Sequence, residues 1–163
     1  MTKRIKKVAV LGSGVMGSGI ACHLANSGLE VLMLDILSPN LDDQQKSNKA
    51  LRNRIADTSL ANAIKSKPAP LYDAAFASRI TTGNFEDDMD KISACDWIIE
   101  VVVERLDIKK LIFAQVDNLR KAGSLVTSNT SGIPIGQLAE GRSEDFKKNF
   151  CGTHFFNPAR YMA

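Results

Sequence analysis

Val8-Ala9-Val10-Leu11-Gly12-Ser13-Gly14-Val15-Met16-Gly17 is an apolar run that stops at a glycine, continues with glycines at the Gly-x-Gly-x-x-Gly spacing, and passes into a helix-like pattern. The order is strand, tight turn, helix. Each glycine has its own physical reason: Gly12 for the sharp turn, Gly14 so that a pyrophosphate can approach bare backbone, and Gly17 so that helix and strand pack closely. A phosphate at this place meets the unpaired N–H groups and the positive dipole end of a helix. Three glycines at this spacing also arise by chance, and it is the flanking strand and helix that make the stretch a phosphate cradle. The residues at the ligand are then Gly12, Ser13, Gly14, Val15, Met16 and Gly17.

Outward from the loop, residues 15–27 read as a helix, with Met16, Ile20 and Leu24 at four-residue spacing and Gly28 as its stop. His23 lies beside this apolar stripe with no second ligand type at helical spacing, and reads as a half-buried packing residue. Glu30-Val31-Leu32-Met33-Leu34-Asp35 is the next strand, continuous in apolar residues as a strand covered on both faces should be. It ends on an acid. Asp35 falls about twenty residues beyond the loop, where a dinucleotide fold places the carboxylate that accepts from the adenine ribose hydroxyls. A carboxylate there repels a 2′-phosphate, so the expected cofactor is NAD in preference to NADP. An Asp opening a turn into Ser38-Pro39-Asn40 is the plainer alternative.

Composition narrows the class. A chain of 163 residues is one domain on the length prior and buries about two-thirds of its unfolded surface. The net charge of +3 is mild and its cations are dispersed, which argues against nucleic acid as a partner. Cys22, Cys95 and Cys151 are far apart, without the close pairs that bind zinc or form a redox dithiol, so no metal is expected and the thiols are read as reduced. The basic start, Met1 to Lys7, is followed by an apolar run too short for a signal peptide, and no window has the length of a membrane span. The expected address is cytoplasmic, away from membranes.

The remaining chain alternates helix-like and strand-like stretches, the pattern of an α/β, doubly wound, mostly parallel sheet of Rossmann type with a helical excursion after the second strand. The excursion spans residues 41–67. Leu51 and Ile55 share one helical face and Leu60 and Ile64 another, which predicts two helical pieces with a bend near Asp57-Thr58-Ser59. Its Lys46, Lys49, Arg52, Arg54, Lys65 and Lys67 form either a solvated face or a positive surface for a phosphorylated ligand. Pro68 and Pro70 close it. One or two helical turns are expected over 71–77, a strand over 79–82, a turn at Gly83-Asn84 and an acidic helix start over 86–90 that lacks the spacing of a calcium loop. Residues 96–104 read as a strong strand that brings Glu104 and Arg105 to the ligand edge, and 107–122 as a helix closed by Gly123. Another strand begins at 125–127. The cluster Ser128-Asn129-Thr130-Ser131-Gly132 after it is either a plain turn or a set of hydrogen-bonding groups at the ligand edge. His154, between strand-like residues and the turn Asn157-Pro158, is better placed for acid–base work than His23, with a structural role as the alternative.

Gly12-Ser13-Gly14-Val15-Met16-Gly17, Asp35, Val102-Val103-Glu104-Arg105-Leu106, Ser128-Asn129-Thr130-Ser131 and His154-Phe155-Phe156-Asn157-Pro158, in this order, resemble the N-terminal domain of the 3-hydroxyacyl-CoA dehydrogenases. The glycine loop is shared with many dehydrogenases; the last two elements are far more specific. The resemblance implies that His154 is the catalytic base that takes the proton of a 3-hydroxyl as hydride passes from C3 to NAD, as in fatty-acid β-oxidation. It also implies that Ser131 lies near the reacting oxygen and the nicotinamide, that Glu104, Lys109 and Asn157 contact the cofactor, and that the excursion helps hold coenzyme A. In that family a glutamate orienting the histidine follows shortly after this motif, and a helical C-terminal domain completes the acyl pocket and makes the dimer contacts. The 163 residues stop short of both. The expectation is therefore a domain over 1–163 that binds NAD, is weakly active at most without the rest, and belongs to a larger, homodimeric enzyme acting on acyl-CoA. The alternatives are a related 3-hydroxy acid dehydrogenase that needs no CoA, and a nucleotide-sensing module without turnover. The survival of Ser131, His154 and Asn157 speaks against the last.

Overall fold

The computed structural model describes residues 4–159; Met1 to Lys3 of the basic start, and residues 160–163, lie outside them. The chain runs β1 (Lys7–Leu11), α1 (Val15–Asn26), β2 (Glu30–Asp35), α2 (Lys49–Arg52), α3 (Arg54–Lys65), β3 (Ile80–Asn84), β4 (Trp97–Glu100), α4 (Leu106–Leu119), β5 (Leu125–Ser128), α5 (Ile135–Ala139), α6 (Glu144–Lys148) and β6 (Phe150–Gly152). Single 3₁₀ segments stand at Gln45–Ser47, Ala74–Arg79 and Met89–Ala94. The sheet order is β3-β2-β1-β4-β5-β6, with every pairing parallel. That is the doubly wound order, whose reversal between β1 and β4 opens a ligand crevice at the carboxyl ends of the strands.

The period-two geometry of a strand explains why the sheet's centre is apolar throughout. Val8, Val10, Val31, Met33 and Ile99 pack with Ile20 and Leu24 of α1 and Ala56 of α3 on one face. Ala9, Leu11, Leu32, Leu34, Ile98 and Val126 pack on the other face with Ile112, Phe113 and Val116 of α4 and with Leu138 and Phe146. Alternate residues of one strand thus serve two cores. His23 packs as the sequence suggests, edge-on to Phe155 with ring centroids 6.3 Å apart. Gly28 takes φ +84 behind α1 as its stop.

Several local expectations are corrected. The excursion bends at Asn53 between α2 and α3, and not at 57–59: Asn53 is buried and accepts from the side-chain amide of Asn84 at 2.6 Å, so a contact across the fold sets the bend. Asp57 lies inside α3 and accepts from the Thr82 hydroxyl. Gly83-Asn84 is not a turn but the end of β3, in register with Leu34 and Asp35. A Cβ on Gly83 would lie 2.5 Å from the carboxylate of Asp88, so glycine is needed here for space. The acidic run begins no helix at 86: Glu86 and Asp87 pair with Arg52, and the 3₁₀ segment starts at Met89. The helical turns expected over 71–77 lie at Ala74–Arg79. The strand expected over 96–104 ends at Glu100: the Val101 N–H still reaches the Leu11 carbonyl at 2.8 Å, but the Val102 N–H turns to the Glu100 carboxylate at 2.7 Å. The short helices α5 and α6 have no counterpart in the sequence reading.

Candidate active site

The strand-to-helix turn after β1 is closed by its neighbours. Gly12 takes φ +109, and a Cβ there would lie 2.6 Å from the Val101 carbonyl oxygen. A Cβ on Gly17 would meet the Gly12 carbonyl oxygen at 1.9 Å, so bare backbone is what lets α1 lie against the turn. Gly14 differs: no atom stands within 4 Å of where its Cβ would be. Val15 is exposed, Met16 packs half-buried against the core, and no side chain caps α1. The N–H groups of its first turn are left for an anion. Asp35, at the end of β2, accepts from the Ser13 N–H at 2.6 Å and the Ser13 hydroxyl at 2.5 Å on one oxygen, and from the Ile36 N–H at 2.7 Å on the other. The carboxylate therefore stands beside the loop, at the edge where the fold binds a ribose. Open space at Gly14, an uncapped helix and a carboxylate on the second strand fit a dinucleotide.

The other half of the edge is built from β4 and β5. Glu104 has its side chain about half exposed, and one oxygen accepts from the Thr130 hydroxyl and from the N–H groups of Ser131 and Gly132, both at 3.1 Å. Its other oxygen lies 3.1 Å from Lys109 Nζ. Burial alone would raise the Glu104 carboxyl, but the bonds from Thr130, Gly132 and Lys109 outweigh it and hold it down to about 2. Lys109 has no exposed surface: its ammonium donates to both oxygens of Glu100, at 2.7 and 3.0 Å, beneath Glu104. The polar cluster of residues 128–132 is thereby more than a turn, since Glu104 organises it. It presents Ser131, whose Oγ lies 2.9 Å from His154 Nε2. That one hydrogen bond runs in the direction that the imidazole tautomer allows. His154 follows β6 and stacks edge-on with Phe156 at 4.8 Å.

A cavity of about 620 Å³ opens beside the glycine loop, between the start of α1, the end of α3 and the turn at 157–159. Gly14, Ser18, Asn62, Lys67 and Asn157 contribute to its lining. Most cations of the excursion are spoken for: Lys46 pairs with Asp43, Lys49 with Asp88, Arg52 with Asp87, and Arg54 donates to Ser38. Lys67 instead lines the cavity. Sequence reasoning brought Gly14, Asp35, Glu104, Ser131, His154 and Asn157 to one edge, with Thr130 in the polar cluster, but it passed over Ser18, Asn62 and the buried Glu100. The only signal for Glu100 is an acid closing an apolar strand nine residues before a lysine. Among the described residues no helix is long and apolar enough to cross a membrane, and no group of three or more His, Cys, Asp or Glu side chains is arranged to hold a metal ion.

Sheet order, glycine loop and acidic second strand define a Rossmann-type dinucleotide-binding domain, and the Ser131–His154 contact lies at its ligand edge. The family model described as "3-hydroxyacyl-CoA dehydrogenase, NAD binding domain" matches residues 7–163, and the chain belongs to that family. A Bacillus subtilis (strain 168) protein named "Probable 3-hydroxyacyl-CoA dehydrogenase" is 56% identical, the match covering 99% of this chain and 21% of that protein. A Deinococcus radiodurans protein of the same name is 44% identical, over 98% of this chain and 44% of its own length. The crystal structure of an (S)-3-hydroxybutyryl-CoA dehydrogenase from Ralstonia eutropha superimposes with a TM-score of 0.69 at 33% identity, covering 98% of this chain and 52% of that one. The chain thus spans between about a fifth and a half of the relatives it matches.

Proposed function

We propose that this chain is the NAD-holding and proton-transferring domain of an enzyme that oxidises the 3-hydroxyl of an acyl-CoA thioester to the ketone. The observation that carries the reading is the Ser131–His154 contact at 2.9 Å, on the same sheet edge as the open side of Gly14. The first turn of α1 takes the pyrophosphate, and Asp35 takes the adenine ribose hydroxyls in exchange for its bonds to Ser13. When bound, NAD supplies the acceptor for the hydride that leaves C3. His154 Nε2, exchanging the Ser131 hydroxyl for that of the substrate, removes the hydroxyl proton and returns it in the reverse reaction, while the Ser131 hydroxyl stays beside the reacting oxygen. Glu104 borders the cofactor, and Lys109, being buried, acts through Glu104. The cavity with Lys67 and its hydroxyl and amide groups takes the coenzyme A end of the substrate, with Asn157 between the two ligands. The greater length of the relatives leaves room for a further domain that closes the acyl pocket and makes a homodimer. Two buried and one exposed free cysteine suit a reducing, cytoplasmic setting.

Titration with NADH and NADPH, followed by nicotinamide fluorescence, should show tighter binding of NADH, and Asp35→Ala should erase the preference. Equal affinities in the unaltered chain would remove the role given to Asp35. In the full-length context, His154→Ala should lower kcat for a 3-hydroxyacyl-CoA by about 10²–10⁴-fold. Full turnover in that variant would place the base elsewhere.

A further inference from the structure

Glu100 is fully buried at the end of β4, and its carboxylate ties together several segments that border the site. One oxygen accepts from the Val102 N–H at 2.7 Å, on the loop that leads to Glu104, and from Lys109 at the same distance. The other accepts from the Ser128 hydroxyl at the end of β5 and from Lys109 at 3.0 Å. Its backbone carbonyl accepts from the Asn129 N–H at 2.8 Å. We propose that Glu100 is the positioning residue that holds Ser131 and His154 at their contact distance. The proposal rests on the dehydrogenase reading for its purpose, but none of the bonds it uses involves the cofactor.

Both partners of the contact lead back to this carboxylate. On the histidine side, the Thr153 N–H donates to the Ser128 carbonyl at 3.0 Å and the Phe155 N–H to the Asn129 side chain at 2.7 Å, so the residues on either side of His154 hang from the two that Glu100 holds. On the serine side, Glu100 holds Lys109, Lys109 holds Glu104 at 3.1 Å, and Glu104 holds the Ser131 N–H. Ser131 and His154 are themselves exposed, so hydrogen bonds rather than close packing place them. A buried ion pair is also a poor means of stabilisation: apolar residues of the same volume often do as well or better, and such pairs are better attested as devices that specify a geometry. Here the geometry specified is that of the acid–base pair.

Imidazole ¹⁵N spectra of the chain without cofactor test this directly, with Ser131→Ala supplying the reference displacement of the His154 Nε2 resonance. Glu100→Gln keeps the shape but puts an amide N–H₂ where Lys109 or Ser128 needs an acceptor. It should move the His154 resonance most of the way to the Ser131→Ala position and leave His23 in place. Ser128→Ala, which cuts one link and spares the ion pair, should move it the same way by less, and serves if Glu100→Gln does not fold. Val126→Ala, a core truncation on β5 outside the network, should lower Tm without moving His154. An unmoved His154 in the folded variant, or an equal displacement in Val126→Ala, overturns the proposal. NADH titration of the same samples keeps the two readings apart: displacement without NADH binding by the unaltered chain refutes the dehydrogenase reading and leaves the positioning role standing.

Discussion

One methyl group, added at two positions three residues apart, should weaken binding at both but the fold at only one. At Gly14 the backbone has φ −55 and ψ −172, which any residue adopts, and no atom lies within 4 Å of the added carbon. Alanine is the poorer helix N-cap, costing up to about 1 kcal/mol, while the loss of glycine's freedom in the unfolded chain returns about 0.4–1 kcal/mol. The two nearly cancel, and Tm should stay within about 4 °C of the unaltered chain. The methyl nonetheless stands where the pyrophosphate must approach, and NADH should bind at least about tenfold more weakly, a loss of about 1.4 kcal/mol. At Gly17 the added carbon meets the Gly12 carbonyl oxygen at 1.9 Å, against an ordinary carbon–oxygen contact of about 3.3–3.6 Å. The helix must retreat from the turn by more than an ångström. Overpacking of this kind costs about 1–3 kcal/mol, so Tm should fall by up to about 10 °C and binding should fall with it. Thermal melts by circular dichroism and NADH fluorescence titrations read both quantities. Gly14→Ala with unchanged affinity, or Gly17→Ala with an unchanged melt, would refute the division of labour within the loop.

Two further outcomes follow from groups outside the site. Asp96 accepts from Lys121 and from the backbone N–H groups of Lys6 and Lys7, which together hold its carboxyl down to about 2, from an ordinary 3.8. A depressed carboxyl stabilises the fold above its unfolded pKa and loses that stabilisation as pH falls through the folded one. Solvent screens the pair, so Asp96→Asn should cost on the order of 1 kcal/mol near neutrality, and urea melts of the two proteins should converge as pH drops from about 4 towards 2. A constant gap across that range would contradict the assignment. Burial pushes the thiols of Cys22 and Cys95 up to about 11, whereas Cys151 is exposed. A thiol reagent should therefore label one cysteine rapidly in the native chain and the other two only on unfolding; rapid labelling of a second thiol would contradict the packing of α1 or of residues 89–95.

The parts legible in the sequence are those whose cause is local. The strand Glu30–Asp35 falls where its apolar run and terminal acid put it, and α1 begins at Val15, directly after the second glycine of the loop, because turn geometry and period are written in neighbouring residues. Where the cause is a contact across the fold, the sequence misleads. Asn53 makes the bend because Asn84 faces it, and Gly83 extends a strand because Asp88 fills the space where a side chain would be. The strand at 97 stops at Glu100 although Val101, Val102 and Val103 follow, since a buried carboxylate captures the Val102 N–H. Glu104 could be placed at the ligand edge from its position after that strand, but that it gathers the loop at 130–132 becomes visible only in three dimensions.

The group proposed as the base hangs from the outermost and shortest piece of the sheet. β6 is three residues long, borders a single neighbour, and leaves Cys151 and Gly152 exposed, with Phe150 its anchor against Phe113 and Phe146. Such a strand opens at a free energy below that of global unfolding, since few buried contacts oppose its release. The working lifetime of the acid–base pair is then set by the fraying of this edge. Warming or mild denaturant should silence the chemistry while the glycine loop, anchored on the central strand, still holds its nucleotide.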